Sequence, residues 1–401
     1  MKRSFPYKSR FSEFLFLLFV LYFTACTSTP KRDFNFIALP ETINKDPNKT
    51  LSSSEVEYDL SQAIYALETA YSGKRFLPKG EFHALMKNLE GIRGGDSVLN
   101  FCEKMDRYLD AVSDSHLSAK FNDENCYKSP GKRKPSVGKN FYAEKNGTPW
   151  NVRLEKKNRK SALLISITGF PPSTSPAWAG FIESVQHHLP KANLIIIDMR
   201  GNGGGDDTTG YELSALLAGS ELKTPYAKQW SNTTPEAQQL FVNTFEHWAR
   251  IVQEEGKPVP SHLLDLKKTF IARREKALKG EMAAQSSGSY GQDFVLEKSA
   301  RKPIYILIDA DCASSCESTT DAFENNTLVK TVGENTAGYV HFGNSGGVIL
   351  KNSGIRLQVA ISYNSYLDGR FIEKVGITPK IPVPAGSDAK EYAWNDFFMK
   401  K

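Results

Sequence analysis

The chain has 401 residues, 40% of them hydrophobic, and about 375 remain once an N-terminal signal is set aside, enough for one large domain with an appendage or for two domains. The formal net charge is +6, and the first 25 residues hold four basic side chains and one acid, so the remainder carries +3, close to balance. The one dense positive run, Lys128 to Lys139, has no interleaved aromatics, so it reads as a solvated linker and no nucleic-acid partner is expected.

Lys2, Arg3, Lys8 and Arg10 precede an apolar run from Phe14 to Phe23 and then Thr24-Ala25-Cys26, the pattern of a secretory signal ending in small residues. The apolar run is about half of the ~20 residues that a membrane-spanning helix needs. Cys26 stands where a bacterial lipoprotein signal places its lipidated cysteine. Residues 1–25 are therefore expected to be a signal peptide, with Cys26 carrying a lipid anchor and the chain in the bacterial cell envelope, facing the periplasm or the cell surface. Plain secretion is the alternative.

Residues 26–54 are polar and Pro-containing, suited to a tether. Residues 55–130 show helical periodicity (Leu60, Ile64, Leu67, Ala70, Tyr71; then Phe101, Met105, Tyr108, Leu109, Val112) and read as an N-terminal helical domain. Its motif Asp114-Ser115-His116-Leu117 would sit at or just past a helix end. Residues 131–161 read as linker and short strands with an Asn146-Gly147 hairpin turn, and Ala162 to Ile167 opens a core that runs over 162–385.

Leu194-Ile-Ile-Ile-Asp198 is a buried-strand run that ends in Asp198 and Arg200, at the carboxyl end where sites form in open α/β sheets. Gly203, Gly204 and Gly205 follow directly, and glycines let N–H groups point at an oxygen that becomes negative during a reaction. Neither GxGxxG spacing nor a Walker lysine accompanies them, so no nucleotide is expected. A helix-rich insertion over 225–292 (Pro235 to Glu255, Ser261 to Lys279) suggests a packed helical excursion, or a lid.

A second strand-turn-helix unit runs from Pro303 through Asp309 into Ala310-Asp311-Cys312-Ala313-Ser314-Ser315-Cys316-Glu317. A serine there would meet the positive end of a helix and the next backbone N–H, which favours an oxyanion, so Ser314 is the candidate nucleophile. Residues 355–383 alternate strand and turn signals and carry Glu373, and 386–401 form a C-terminal tail.

Asp198 to Gly205, Ala313 to Glu317 and Gly333-Glu334-Asn335-Thr336, in that order, resemble the tail-specific, or C-terminal-processing, serine peptidases. The lysine-dependent members of that family carry their base in a Gly-Lys pair after Gly-Glu-x-Thr, where this chain has Gly338-Tyr339. A tyrosine with a pKa near ~10 is a poor base at neutral pH. The chain is instead similar to the histidine-based, tricorn-like branch and to the interphotoreceptor retinoid-binding proteins, through Asp114 to Leu117 and Ile372 to Pro379. The resemblance implies an α/β fold, a ClpP/crotonase-like core of strand-strand-helix repeats with an N-terminal helical domain and a helical insertion. The stretch between helices and core, about 40 residues, is too short for the PDZ domain that many relatives carry. It implies that Ser314 attacks, His116 removes its proton, Glu373 orients the imidazole with Ser115 linking through a hydrogen bond, and Ser315 with Gly203 or Gly204 forms the oxyanion hole. His341 and Tyr339 are expected to line the site. The implied function is a serine endopeptidase acting through an acyl-enzyme on peptides or proteins of the envelope or exterior, with no cofactor or metal. The alternative is a non-catalytic lipoprotein of the same fold that binds peptides or hydrophobic ligands.

Export implies an oxidising compartment for Cys102, Cys126, Cys312 and Cys316. Four cysteines allow three connectivities. The local pairs Cys102–Cys126 and Cys312–Cys316 would each staple a catalytic turn. Two small core thiols remain open at 312 and 316, because an i,i+4 bridge is awkward within a regular helix. No Cys or His lies at zinc-ligand spacing from them.

Overall fold

The computed structural model describes residues 32–129, 133–140, 148–173, 175–218, 226–282, 285–288, 302–323, 326–366 and 368–399. The expected signal peptide, Cys26 and the Asn146-Gly147 turn lie outside them. The described residues up to Phe36 belong to one unit and those from Ile37 on to a second, which holds all the strands among the described residues.

Helices lead the second unit: α1 (Ser53–Thr69), α2 (Gly73–Phe76), α3 (Glu81–Glu90) and α4 (Val98–Asp110). Ser52 and Glu55 close a capping box on α1, satisfying N–H groups that the first turn leaves open. After α4 the chain passes His116 and forms β1 (Ser118–Phe121) and β2 (Glu124–Asn125). Asp106 on α4 accepts the N–H of Ala119 at 2.7 Å and of Tyr127 at 2.8 Å, and the Cys102–Cys126 disulfide joins the same two segments. The loop that carries His116 is thus tied down on both sides.

The core follows: β3 (Trp150–Lys157), β4 (Lys160–Ile167), α5 (Pro176–His188), β5 (Leu194–Asp198) and α6 (Asp207–Ala218). Next come β6 (Tyr226–Asn232), α7 (Pro235–Glu254), α8 (Ser261–Leu278) and β7 (Gln285–Gly288). The chain then forms β8 (Ile304–Ile308), α9 (Ser315–Ala322), β9 (Val329–Gly333), β10 (Phe342–Ile349), β11 (Arg356–Tyr366), β12 (Ile381–Pro382) and α10 (Ala389–Met399).

One sheet has the order β12-β9-β8-β5-β4-β3, parallel except for the β3/β4 hairpin. Its central strands β5 and β8 are buried along their whole length because both faces are covered. Ile195, Ile197, Ile304, Ile306 and Ile308 meet Trp178 and Phe181 of α5 and Leu213 and Leu217 of α6. Leu194, Ile196, Tyr305 and Leu307 meet Ala393 and Trp394 of α10. Trp394 is fully buried, so Trp394→Ala would cost about 3–5 kcal/mol. The mixed α/β architecture read from the sequence is the one formed, with β3, β4 and α5 as its clearest strand-strand-helix unit. Among the described residues between α4 and β3 only β1 and β2 occur, and no PDZ module is present there.

The second sheet is antiparallel, with β11 pairing β10 along one edge and β1 and then β6 along the other. β1–β11 pairing brings the His116 loop to the same sheet as β6 and β10.

Three sequence expectations need correction here. Residues 37–54 are not a free tether, since Ile37 and Leu51 are fully buried and Asn44 donates to the Ser353 carbonyl at 3.0 Å. Residues 386–401 are not only a tail, because α10 covers one face of the parallel sheet. The insertion is more than helical, for β6 and β7 extend the antiparallel sheet. Its α8 lies on α7 through Phe270 stacked against Phe241 at 4.3 Å.

Candidate active site

Ser314 is the N-cap residue of α9 and has φ +54° and ψ −118°, a backbone conformation that costs a serine of order 1–3 kcal/mol. Several contacts hold it there. Asp309 Oδ1 accepts the N–H of Gly201, Asp311 and Cys312 at 3.0 to 3.1 Å, joining the ends of β5 and β8. The Ala313 N–H donates to Asn202 O at 3.0 Å. Cys312 and Cys316 are disulfide-bonded with Cα atoms 5.4 Å apart, which is feasible because Cys312 precedes the regular helix.

Glu317 completes the turn. Its fully buried carboxylate accepts the Ser314 N–H at 3.1 Å, the Tyr339 N–H at 2.7 Å, the Gly338 N–H at 2.8 Å and the Thr336 hydroxyl. Burial pushes its pKa up, and these four donors oppose that shift. Sequence reasoning gave Glu317 no role, although Ser314-Ser315-Cys316-Glu317 has capping-box spacing.

Gly204 packs against the nucleophile candidate: a Cβ there would lie 2.9 Å from Ser314 Cβ, and its φ is +107°. The Gly204 N–H donates to Asn202 Oδ1 at 2.8 Å, so it is already engaged and the expected oxyanion pair narrows to Gly203 with Ser315. Ser315 is the first residue of α9, where an N–H has no intrahelical acceptor.

His116 is half-buried, its ring edge-on to Tyr339 with centroids 5.2 Å apart, and its Nδ1 is buried without a partner. Burial, and then the Lys120 charge, lower its pKa to about 4, well below the ordinary value near 6.5, so it is neutral at pH 7. Asp114, His116 and Glu373 each place a ligand-type atom within 4.8 Å of the others. Glu373 accepts the N–H of Ser115 at 2.8 Å, of His341 at 2.9 Å and of Val340 at 3.2 Å. Asp114 accepts the N–H of His116 at 2.7 Å and the Tyr71 hydroxyl at 2.8 Å. Burial, and then mutual repulsion, hold Glu373 up at about 8, while burial raises Asp114 to about 6. The two titrate as a pair. Backbone donors aimed at both carboxylates already supply much of what a metal ion in this cluster would.

Ser115 does not link His116 to Glu373. Its hydroxyl donates to Gly338 O at 2.8 Å, and only its N–H reaches Glu373. His341 does not line the cavity either. Its Nδ1 meets Asn364 O at 2.8 Å and its Nε2 accepts the Ile372 N–H at 3.0 Å, which fixes one neutral tautomer and anchors the Glu373 segment. Nor do Asp198 and Arg200 serve the site. They form a buried ion pair at 2.8 Å just past the carboxyl end of β5, and the guanidinium is spent on Asp388 and Val137 O as well.

Ser314, Ser315, His116 and Tyr339 line one cavity of about 200 Å³, roofed by β6, β10 and β11. A second cavity of about 460 Å³ is lined by Asp114, Ser115 and Lys374 among others, and Tyr339 borders both. No residue of α7 or α8 lines the Ser314 cavity, so the lid expected of the insertion finds no contact there among the described residues.

No curated protein matches the chain. Among solved structures, a candidate peptidase from Parabacteroides merdae matches with a TM-score of 0.52 at 12% identity, covering 86% of this chain and 97% of its own. Mature CPAF matches with a TM-score of 0.52 at 15% identity, covering 87% of this chain and 96% of its own. These likenesses show a common fold over nearly the whole of both proteins. Residues 161–383, more than half of the chain and the segment that carries both β5 and the Ser314 turn, match the model of peptidase family S41, and the chain belongs to that family.

Proposed function

We propose that the protein is a serine endopeptidase with Ser314 as nucleophile and His116 as general base. The observation that carries this reading is Ser314 itself, held with positive φ at a helix N-terminus in one cavity with a neutral histidine. His116 takes the Ser314 hydroxyl proton as the oxygen attacks the scissile carbonyl. The developing oxyanion is met by the N–H groups of Ser315 and Gly203. The imidazolium is stabilised by the carboxylate pair of Glu373 and Asp114 within 4.8 Å, and it returns the proton to the leaving amine. Water then hydrolyses the acyl-enzyme by the same route.

Ser314→Ala and His116→Ala should each lower kcat/KM on an unfolded-protein substrate by about 10³-fold or more, with the double variant little worse. Full activity in either would overturn the assignment. A second reading, a non-catalytic binding protein, is favoured by the unpartnered His116 Nδ1 and by Ser115 turning to Gly338. Tight peptide binding without turnover would support it.

We also propose envelope localisation through a lipid on Cys26, supported by the sequence of residues 1–26 and by two disulfides, which suit an oxidising compartment. A mature N-terminus at Cys26 carrying acyl mass would support it, and an unmodified, uncleaved N-terminus would contradict it.

A further inference from the structure

The wall of the Ser314 cavity has a chemical character that the proposed reaction does not use. Among the residues that line it, Asp207 is the only carboxylate, and neither lysine nor arginine is present. Asp207 opens α6 and accepts the Ser318 hydroxyl at 2.6 Å, and among the described residues it forms no ion pair. Burial raises its pKa, and nearby Asp206 adds repulsion. The opposite wall is the polar face of the antiparallel sheet, where Gln229 pairs with Asn364, and Ser362 and Asn364 alternate along β11. Two acceptors on that wall are unspent: Asn364 Oδ1 and Ser345 Oγ are buried without partners. Buried polar atoms are seldom left unpaired, and three of those here, counting His116 Nδ1, belong to residues that line the same cavity.

We propose that this cavity is a substrate subsite for a lysine or arginine side chain beside the scissile bond, with Asp207 taking its charge and Asn364 and Ser345 its remaining donors. Open acceptors around one carboxylate require a ligand that is rich in donors and positively charged. The volume, about 200 Å³, lies below the ~300–1,000 Å³ of small-molecule pockets and suits a single side chain. An apolar side chain would leave Asn364 Oδ1 and Ser345 Oγ without partners and the Asp207 charge uncompensated.

The inference rests on the peptidase reading but is testable apart from it. Two peptides would be compared that differ only in one central residue, arginine or its uncharged isostere citrulline. Binding to full-length Ser314→Ala is read by fluorescence anisotropy, and cleavage sites in the wild type are mapped by mass spectrometry. The arginine peptide should bind at least ~10-fold tighter, and adding Asp207→Asn should bring the ratio close to one. Equal or tighter binding of the citrulline peptide overturns the proposal, as does a ratio that survives Asp207→Asn. If Asp207→Asn fails to fold, the ratio in the Ser314→Ala protein decides alone. A charge preference in binding with no cleavage by the wild type would sink the peptidase reading and keep the subsite. Cleavage without charge preference would do the reverse.

Discussion

Replacing Glu317 by glutamine should uncouple Ser314 from the segment behind His116. The carboxylate accepts Ser314 N–H and Tyr339 N–H on one oxygen, and Gly338 N–H and the Thr336 hydroxyl on the other. A glutamine has one acceptor oxygen, so its amide nitrogen must face at least one buried N–H; the Thr336 hydroxyl can rotate to accept. An orphaned buried donor costs about 1–3 kcal/mol, and the surviving bonds lose the charge assistance that roughly doubles their strength. Against this, removing a fully buried charge recovers the desolvation that raises the Glu317 pKa. Hydrogen-bond loss should win by about 2 kcal/mol, lowering Tm by about 4–8 °C at the ~2–4 °C per kcal/mol of large domains. Because Ser314 and the residues around Tyr339 both shift, kcat should fall by about ten-fold or more while the fold persists. Scanning calorimetry and peptidase kinetics would measure the two effects. A variant with wild-type Tm and wild-type kcat would refute the claim that Glu317 holds the elbow in place.

Asp114→Asn keeps an oxygen for the His116 and Leu117 N–H groups yet removes the charge that, after burial, does most to hold Glu373 up at about 8. The limb along which kcat rises with pH should therefore move to lower pH, and an unmoved limb would show that the pair does not act on the histidine. His116, held at about 4, should stay neutral above that value, so its own imidazole titration, followed by NMR, should be centred well below 6.5, and a midpoint near 6.5 would argue against the buried, neutral base described for it. Removing the Cys102–Cys126 bridge, which spans 24 residues, should lower the urea-derived stability by about 3 kcal/mol; no change would mean that Asp106 alone secures the loop. Gly204→Ala puts a Cβ 2.9 Å from Ser314 Cβ at φ +107° and should abolish turnover, so an active variant would place the reaction elsewhere.

The core strands β4, β5 and β8, the Ser314 turn and the insertion helices were legible because each has a local signal: the Ile-rich runs, the small-residue elbow, and Pro235 and Ser261 at helix starts. The carboxylate network was less legible, because its geometry depends on partners far away in the chain. Ser115 and Glu373 are 258 residues apart and meet through an N–H, where a side-chain link was expected. His341 looked free for the site because nothing local reveals that Asn364 O and the Ile372 N–H take both ring nitrogens. Asp198 and Arg200 stand at the end of a strand where chemistry often gathers, yet they pair with each other, and Arg200 also holds Asp388, just ahead of the last helix. The role proposed for Asp207 has no sequence signal, since it rests on the cavity that Asp207 lines together with residues of β6, β10 and β11.

The most direct test of the account is covalent labelling of the full-length protein by a fluorophosphonate, read by peptide mapping. The Ser314 geometry and a neutral His116 should give a single adduct on Ser314, lost in Ser314→Ala and slowed at least ~100-fold in His116→Ala. A wild-type protein that stays unlabelled, or carries its adduct on another serine, would contradict the assignment of this site as the centre of a serine peptidase.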